Sequence, residues 1–185
     1  GKPLIVRHLE MLKEEEDIRV AVGYQAEKVI EVVKKYRQDV MFVFNHEYRT
    51  TGTGASVALA ARYANEYILS VDGDLLVHPD DMQKVLSCEH EFVSGNEPGT
   101  DDPWMLQTYY DGGREYVSAF SKCMGNYEWN GVTQMKSDKM QSGSGHVFQV
   151  IGPHLPVPFM EVRTHEIDTV NDYERAIRWV RNGFR

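Results

Sequence analysis

In the first half of the chain, short apolar runs alternate with segments of helical periodicity, and this alternation limits the fold more than any other feature. Three apolar runs of strand length lie at residues 18–22, 40–44 and 67–71. Helical spacing predicts helices over residues 3–16, 26–36, 56–63 and 79–86. Strands that alternate with helices of this length are typical of βαβ units. The pattern therefore predicts a parallel sheet with helices on both faces.

The second half is less regular but still of the α/β class. Apolar patterning predicts strands over residues 92–95, 105–110, 116–120, 131–135 and 161–167, and helices over 145–151 and 171–180. The triplet Asp111-Gly112-Gly113 predicts a turn between two of the strands. No repeat or linker-like segment interrupts the sequence. We therefore expect residues 1–185 to form a single domain, a three-layer, Rossmann-like fold with an open, mostly parallel mixed sheet.

The charge and the cysteines exclude several classes of protein. With 20 Lys and Arg against 28 Asp and Glu, the formal net charge is -8. Broad electrostatic attraction to nucleic acid or to an anionic membrane is therefore disfavoured. No apolar run approaches the roughly 18 residues of a membrane span. Cys88 and Cys123 are isolated from each other, so we expect neither a zinc site nor a disulfide scaffold, and we expect a reducing, cytoplasmic location.

Asp72-Gly73-Asp74 follows the third apolar run, where ligands of open parallel sheets bind. Two carboxylates on either side of a glycine can chelate a hard cation, because the glycine lets the backbone turn tightly. The simpler alternative is a turn in which one aspartate caps the following helix.

Thr51-Gly52-Thr53-Gly54 leads into a predicted helix. Its glycines would let a flat ligand lie against the backbone, and the helix N-terminus would offer unpaired N–H groups. The segment matches neither a Walker A loop nor GxGxxG. From these residues alone, a turn with Thr53 as helix cap is the better interpretation.

Glu166-Ile167-Asp168-Thr169 ends the predicted strand over residues 161–167. Asp168 could complete a metal site begun at Asp74. The alternative is a turn in which Asn171 or Asp172 caps the last helix.

Five aromatic residues gather in the second half of the sequence. A cage of such rings can hold an ammonium group by cation–π attraction, although aromatic side chains more often fill a core or cover a strand. The five are Trp104, Tyr109, Tyr110, Tyr127 and Trp129.

Several short motifs, taken in order, resemble segments of the nucleotidyltransferase superfamily, the GT-A-like, Rossmann-type enzymes that build nucleotide sugars and CDP-alcohols. They are GKPLI at 1–5, VGY at 22–24, FNxxY at 44–48, GTG at 52–54, GD at 73–74, NG at 130–131 and EIDT at 166–169. The set covers nearly the whole chain. FNxxY is similar to phosphocholine cytidylyltransferases, which use CTP, whereas GTG is similar to sugar-phosphate enzymes, which use UTP or dTTP, so the base and the acceptor stay open.

The resemblance implies three kinds of site residue. The catalytic residues, which would also bind Mg²⁺, are Asp74 and Asp168. The nucleotide-binding residues are Gly52, Thr53, Gly54 and Asp72. The residues of the acceptor pocket are Glu128, Trp129, Asn130 and Glu166. In that pocket the Trp129 indole and the Glu128 carboxylate would suit an amine or trimethylammonium head.

One departure from the family concerns its first strand and its glycine-rich loop, which holds the triphosphate. These would precede Gly1, as would the catalytic lysine that follows the loop, and Lys2 is no safe substitute for that lysine. Either the 185-residue chain is an incomplete version of a longer protein or it is a degenerate domain, and the paired Asp74 and Asp168 favour the first; we expect negligible turnover of the chain by itself.

Three functions compete. The first is transfer of a nucleoside monophosphate from a nucleoside triphosphate to a phosphorylated alcohol or sugar, with release of pyrophosphate and with Mg²⁺ as cofactor. The second is a GT-A glycosyltransferase in which Asp72-Gly73-Asp74 is a D-x-D motif. The third is a non-catalytic nucleotide-binding module. The resemblance favours the first.

Overall fold

The computed structural model describes residues 2–184, so Gly1 of the GKPLI motif lies outside the described residues. The helices are α1 (Leu4–Met11), α2 (Ala26–Tyr36), α3 (Thr53–Ala61), α4 (Pro79–Leu86), α5 (Ser137–Met140), α6 (Val147–Ile151) and α7 (Val170–Arg181), with a 3₁₀ turn at Gly152–His154. The strands are β1 (Arg19–Val22), β2 (Met41–Phe44), β3 (Tyr67–Val71), β4 (Leu75–Val77), β5 (Phe92–Asn96), β6 (Met105–Asp111), β7 (Arg114–Ser121), β8 (Tyr127–Lys136), β9 (Val157–Glu161) and β10 (Thr164–Glu166). The α/β class is confirmed.

The chain forms two compact units. The first contains the residues up to Leu69 together with Gln134–Leu155, and the second contains Ser70–Thr133 and the residues from Pro156 onward. Strands β3 and β8 each have residues in both units. None of the helices in the described part of the chain is long and apolar enough to cross a bilayer.

The first unit is built on the predicted alternation of strands and helices. β1 and β2 pair in parallel, with Arg19 opposite Met41 and Val22 opposite Phe44. Helices α1 and α2 turn their apolar stripes inward, so that Leu9 and Val33 are buried in one cluster with Ile18 and Val40. Helix α1 ends at Met11 rather than at the predicted residue 16. The acidic side chains of residues 14–16 would lie at the negative end of the helix dipole, which opposes further helix there.

The second unit departs from the open, mostly parallel sheet that the sequence predicts. Its strands pair in the order β8-β5-β9-β7-β6, and β6 also pairs with β8, so the order closes on itself as in a barrel. β5 and β9 pair in parallel, but β6 is antiparallel to both β7 and β8, and β7 is antiparallel to β9. A register shift at Gln107/Thr108 marks a bulge in the β6–β7 pair. Bulges bend strands and so favour closure.

The strand predicted over residues 161–167 is also wrong, because the chain forms two strands there. β9 ends at Glu161 after pairing with β5, and β10 pairs antiparallel with β4. Between them the Val162 N–H donates to the Gly95 carbonyl oxygen (3.1 Å), and the Arg163 N–H donates to Asp81 Oδ2 (2.8 Å). These bonds hold the turn from one strand partner to the other, and this turn directs the end of β10 toward the start of β4.

Candidate metal centre

Asp74 and the 166–168 segment are neighbours because of one strand pairing in the second unit. Asp74 directly precedes β4, and β10 pairs antiparallel with β4 so that Glu166 lies opposite Leu75. The Ile167 N–H continues the ladder by donating to the Asp74 carbonyl oxygen (3.0 Å). Asp74 therefore lies close to Glu166 and Asp168 at one strand end, although at least 92 positions separate it from them in the sequence.

Three carboxylates form an acidic cluster at this point. One oxygen atom from each of Asp74, Glu166 and Asp168 lies within 4.8 Å of the others, and all three residues are exposed. The structure thus brings together the predicted pair Asp74 and Asp168, and it adds Glu166, which the resemblance places in the acceptor pocket. The sequence carries a signal for this third member, because residues two apart in an extended segment point to the same side.

The chemistry of the cluster suits a hard divalent cation. Carboxylate oxygens are the ligands that Mg²⁺ and Ca²⁺ prefer. Burial raises the pKa of Glu166 above its ordinary value, and the nearby carboxylates of Asp168 and Asp74 raise it further. Without a counter-charge the three carboxylates repel one another. A bound cation would remove that repulsion.

Asp72 is half-buried beside the cluster and does not belong to the group of described carboxylates that could hold a metal ion. Burial, followed by the charges of Asp74 and Glu166, raises the pKa of Asp72 to about 7. Its N–H donates to the Gly131 carbonyl oxygen (3.2 Å). Gly131 has a φ of +77°, and a Cβ there would lie 2.5 Å from Asp72 Oδ2. The positive φ and the close approach of the Asp72 carboxylate both favour glycine at this position.

The helix-capping alternatives for the acidic residues are wrong. Helix α4 is capped by His78, whose Nδ1 accepts from the Asp80 N–H (3.1 Å), so neither Asp72 nor Asp74 caps it. The N-cap of α7 is Thr169, whose hydroxyl oxygen accepts from the Asp172 N–H (3.2 Å). Asp172 closes the capping box by accepting from the Thr169 N–H (2.8 Å). Neither Asp74 nor Asp168 is therefore the N-cap of α4 or α7.

The acceptor residues Glu128 and Trp129 both lie on β8. The Glu128 side chain is buried, and its carboxylate accepts from the Gly99 N–H (2.6 Å), the Thr100 N–H (3.2 Å) and the Thr100 hydroxyl. It therefore holds the turn-rich loop that follows β5. The Trp129 ring meets Phe120 edge-on, with centroids 5.5 Å apart.

Of the other aromatic residues proposed for a cage, two stack on rings outside the proposed set. Tyr127 stacks on Phe159 at 4.1 Å, and Tyr109 stacks on Tyr116 at 5.8 Å. The Lys122 ammonium lies 5.0 Å from the centroid of the Trp104 ring. Tyr110 is largely exposed.

Asn130, the third predicted acceptor residue on β8, is buried, and both ends of its amide are bonded within the protein. Its Nδ2 donates to the Val162 carbonyl oxygen (2.6 Å). Its Oδ1 accepts from the Ser94 hydroxyl. The amide thus joins β8 to β5 and to the turn between β9 and β10.

The Gly52-Thr53-Gly54 segment lies in the first unit, at the start of α3. Gly52 is the N-cap and makes no side-chain cap bond, so the expected capping by Thr53 is wrong. Instead the Thr53 hydroxyl oxygen accepts from the Val147 N–H (3.3 Å). A Cβ on Gly52 would overlap the Gly145 carbonyl group, and the Gly54 N–H donates to that same carbonyl oxygen (2.8 Å). Close backbone packing therefore explains the glycine at position 52.

A family model described as "Domain of unknown function (DUF6564)" matches residues 2–127. The curated proteins contain no match to this chain.

Among solved structures, the chain is similar to HddC from Yersinia pseudotuberculosis, with a TM-score of 0.70 at 19% identity over 97% of this chain and 86% of that chain. HddC has also been solved in complex with GMP-PN. The chain is similar to the CTP:phosphocholine cytidylyltransferase LicC from Streptococcus pneumoniae, with a TM-score of 0.68 at 20% identity over 96% of this chain and 85% of that chain. It is also similar to the inositol-1-phosphate CTP transferase from T. maritima, with a TM-score of 0.72 at 15% identity over 98% of this chain and 84% of that chain. The resemblance to the nucleotidyltransferase superfamily is confirmed at the level of the fold.

Proposed function

Because the chain belongs to the DUF6564 family and shares its fold with nucleotidyltransferases, we propose that it transfers a nucleoside monophosphate from a nucleoside triphosphate to a small phosphorylated acceptor. A phosphate oxygen of the acceptor forms a bond to the α-phosphorus. The bond from that phosphorus to the departing pyrophosphate breaks. No redox chemistry or covalent enzyme intermediate is needed, so the protein's task is to position the reactants and neutralise their charge.

The acidic cluster is the observation that carries this proposal. Asp74, Glu166 and Asp168 are the residues that would hold Mg²⁺, because they present three carboxylates within 4.8 Å of one another. When bound, the ion supplies charge neutralisation at the reacting phosphate oxygens. Asp72 supports the turn that carries Asp74. The D-x-D alternative of a glycosyltransferase requires Asp72 as a ligand, and the metal-binding group contains Asp74 without Asp72.

The nucleotide and the acceptor are proposed by class. Gly52, Thr53 and Gly54 would bind the base, as the resemblance implies. Two of the structural neighbours are a CTP:phosphocholine cytidylyltransferase and an inositol-1-phosphate CTP transferase. For this chain we propose CTP, UTP or dTTP as donor. As acceptor we propose a phosphorylated alcohol or sugar, with the half-buried Trp129 ring against the acceptor's head.

The test measures pyrophosphate release by the full-length gene product with Mg²⁺. Each of the three nucleotides is combined with phosphocholine, 2-aminoethylphosphonate, inositol 1-phosphate or glucose 1-phosphate. One combination should be turned over well above the others. Asp74→Asn and Asp168→Asn should each lower its kcat by two or more orders of magnitude, since a carboxamide is a poor Mg²⁺ ligand.

The controls separate loss of a metal ligand from loss of any carboxylate. Asp111→Asn, at an exposed strand end of the second unit, should leave kcat unchanged. Asp72→Asn should cost less than ten-fold. Equal, severe losses at Asp72 and Asp74 would support the D-x-D alternative. Tight nucleotide binding without pyrophosphate release under any combination would contradict the proposal in favour of a binding module.

A further inference from the structure

We propose that Asn130 is a positioning residue that holds the acidic cluster in its metal-binding geometry. This inference rests on the proposed function, because it assigns Asn130 to the support of the proposed metal ligands. The sequence resemblance implies a substrate contact for this residue. The structure instead uses the whole polar end of its side chain inside the second unit.

Asn130 is linked to the strand that carries Glu166 through the turn between β9 and β10. The Asn130 Nδ2 donates to the Val162 carbonyl oxygen at 2.6 Å. Val162 is fully buried in the turn between β9 and β10, and its own N–H donates to the Gly95 carbonyl oxygen (3.1 Å). These two bonds hold the peptide groups on both sides of the Val162 α-carbon and so fix the turn. The direction in which β10 leaves, and therefore where Glu166 and Asp168 lie, depends on this turn.

Asn130 is also linked to Asp74, through the backbone of Gly131. The next residue, Gly131, accepts the hydrogen bond of the Asp72 N–H (3.2 Å), and its α-carbon lies so close to the Asp72 carboxylate that a Cβ would reach within 2.5 Å of Oδ2. The Asn130 Oδ1 accepts from the Ser94 hydroxyl on β5 and, at 3.4 Å, from the Val132 N–H. The amide thus fixes the backbone at Gly131, on which the Asp72-Gly73-Asp74 turn rests.

Asn130 therefore joins the two segments that supply the metal ligands. An amide is suited to this position because it donates at one end, accepts at the other and carries no charge. An acidic residue buried here would add to the repulsion among the carboxylates, whereas an apolar residue would leave the Val162 carbonyl oxygen without its amide donor. Groups that orient metal ligands in this indirect way typically change metal affinity by roughly 10–100-fold when removed.

The experiment measures Mn²⁺ affinity by electron paramagnetic resonance of the free ion, using the full-length gene product. Asn130→Ala should weaken Mn²⁺ binding at least ten-fold. The matched control is Thr133→Val. Thr133 lies on the same strand, is equally buried, and donates from Oγ1 to the Phe92 carbonyl oxygen on β5 (2.8 Å). Removing that bond should lower Tm and leave Mn²⁺ affinity within two-fold of the unmodified protein.

A second variant covers the case in which Asn130→Ala does not fold. Ser94→Ala removes the hydroxyl that lies between Asn130 Oδ1 and the Val132 carbonyl oxygen (2.6 Å), and Ser94 is not one of the three cluster residues. It should weaken Mn²⁺ binding about three- to ten-fold, which is part of the effect of removing the whole amide. If the foldable variants at positions 130 and 94 bind Mn²⁺ as tightly as Thr133→Val does, Asn130 is a stability residue only and the inference is wrong.

The outcome also separates this inference from the proposed function. An unmodified protein that binds Mn²⁺, with binding abolished by Asp74→Asn and unchanged by Asn130→Ala, would contradict the positioning role alone. An unmodified protein that binds no Mn²⁺ would contradict the metal centre itself, and the positioning role with it.

Discussion

At the residue scale, Asp72 is a side chain whose surroundings oppose its charge. It is half-buried against Gly131, and Asp74 and Glu166 repel its ionised form. Its pKa in the folded protein is therefore raised to about 7. In an unfolded chain the pKa of an aspartate is about 3.9. When the protein folds without a cation, the Asp72 carboxylate must therefore either take up a proton or keep its charge in a half-buried position.

This difference predicts the pH dependence of an Asp72→Asn variant. A carboxylic acid whose pKa is raised on folding stabilises the native state fully below its unfolded pKa, and that contribution is lost as the pH rises through about 7. The asparagine cannot ionise. In the presence of EDTA, Asp72→Asn should nearly match the unmodified protein at pH 4 and be more stable at pH 8, by up to about 4 kcal/mol. A gain of that size corresponds to roughly 8–16 °C in Tm.

Thermal unfolding between pH 4 and pH 9 measures the difference. Asp111→Asn, an exposed position, serves as the control and should show no pH-dependent gain. A gain of the same size at pH 4 and pH 8 would mean that the substitution acts through packing, and the argument from ionisation would fail.

At the element scale, the start of α7 depends on one capping box. Asp172 accepts from the Thr169 hydroxyl (2.7 Å) and from the Thr169 N–H (2.8 Å), and Arg175 donates to it one turn further on. These hydrogen bonds lower the pKa of Asp172 to about 2, and the bond from the Thr169 hydroxyl has the largest effect. The carboxylate therefore stabilises the helix start that follows the acidic cluster directly in sequence.

Asp172→Asn should lower the stability of the protein at pH 7 and shift its urea midpoint downward. A carboxylate with a lowered pKa contributes fully above its unfolded pKa, about 3.9. That contribution is lost as the pH falls toward about 2. The gap between variant and unmodified protein should therefore shrink from pH 5 to pH 3. Glu174→Gln, in the same helix and 3.8 Å from Arg178, is the control and should change little. A gap that stays constant over this range would show that ionisation of Asp172 does not matter.

The elements also show which parts of the fold a sequence can predict. Helices α2 and α4 and strand β3 begin and end where periodicity predicts, because each is long enough for its apolar pattern to repeat. Strand β4 has three residues and was not predicted, since three apolar residues carry no period. Strand β9 was not predicted either, because Pro158 lies within it and proline disfavours strands.

The same distinction applies to the site. Asp74 and Asp168 are identified by short motifs with local sequence signals. Their contact, and that of Glu166 with Asp74, depends on the antiparallel register of β4 and β10. That register depends on a pairing between residues about ninety positions apart, which no local pattern encodes. The role of the Asn130 amide depends in turn on Val162 and Ser94, which are distant in sequence.

At the scale of the whole molecule, the net charge of -8 conflicts with the proposed substrates, which are polyanions. A protein of this charge repels a nucleoside triphosphate at long range, and the acidic cluster adds to the repulsion. A divalent cation at Asp74, Glu166 and Asp168 would offset two of the three negative charges of the cluster. The proposed metal centre would therefore assist substrate binding as well as chemistry, because it lowers the repulsion between this acidic chain and a polyanionic substrate.

The cation should also leave a pattern of protection along the chain. All three cluster residues lie in the second unit. A ligand that binds only the native state stabilises it by about 2.7 kcal/mol at a concentration of 100 times its Kd. Saturating Mg²⁺ should therefore slow amide hydrogen exchange most at Leu75–Val77 and Thr164–Glu166, the paired strands beside the cluster. Exchange in α1 and α2 of the first unit should change least. Mass spectrometry of peptic fragments with and without Mg²⁺ measures both regions, and Asp74→Asn should remove the protection. Protection that is strongest in α1 and α2, or that persists in Asp74→Asn, would place the cation elsewhere and contradict the assignment of the acidic cluster.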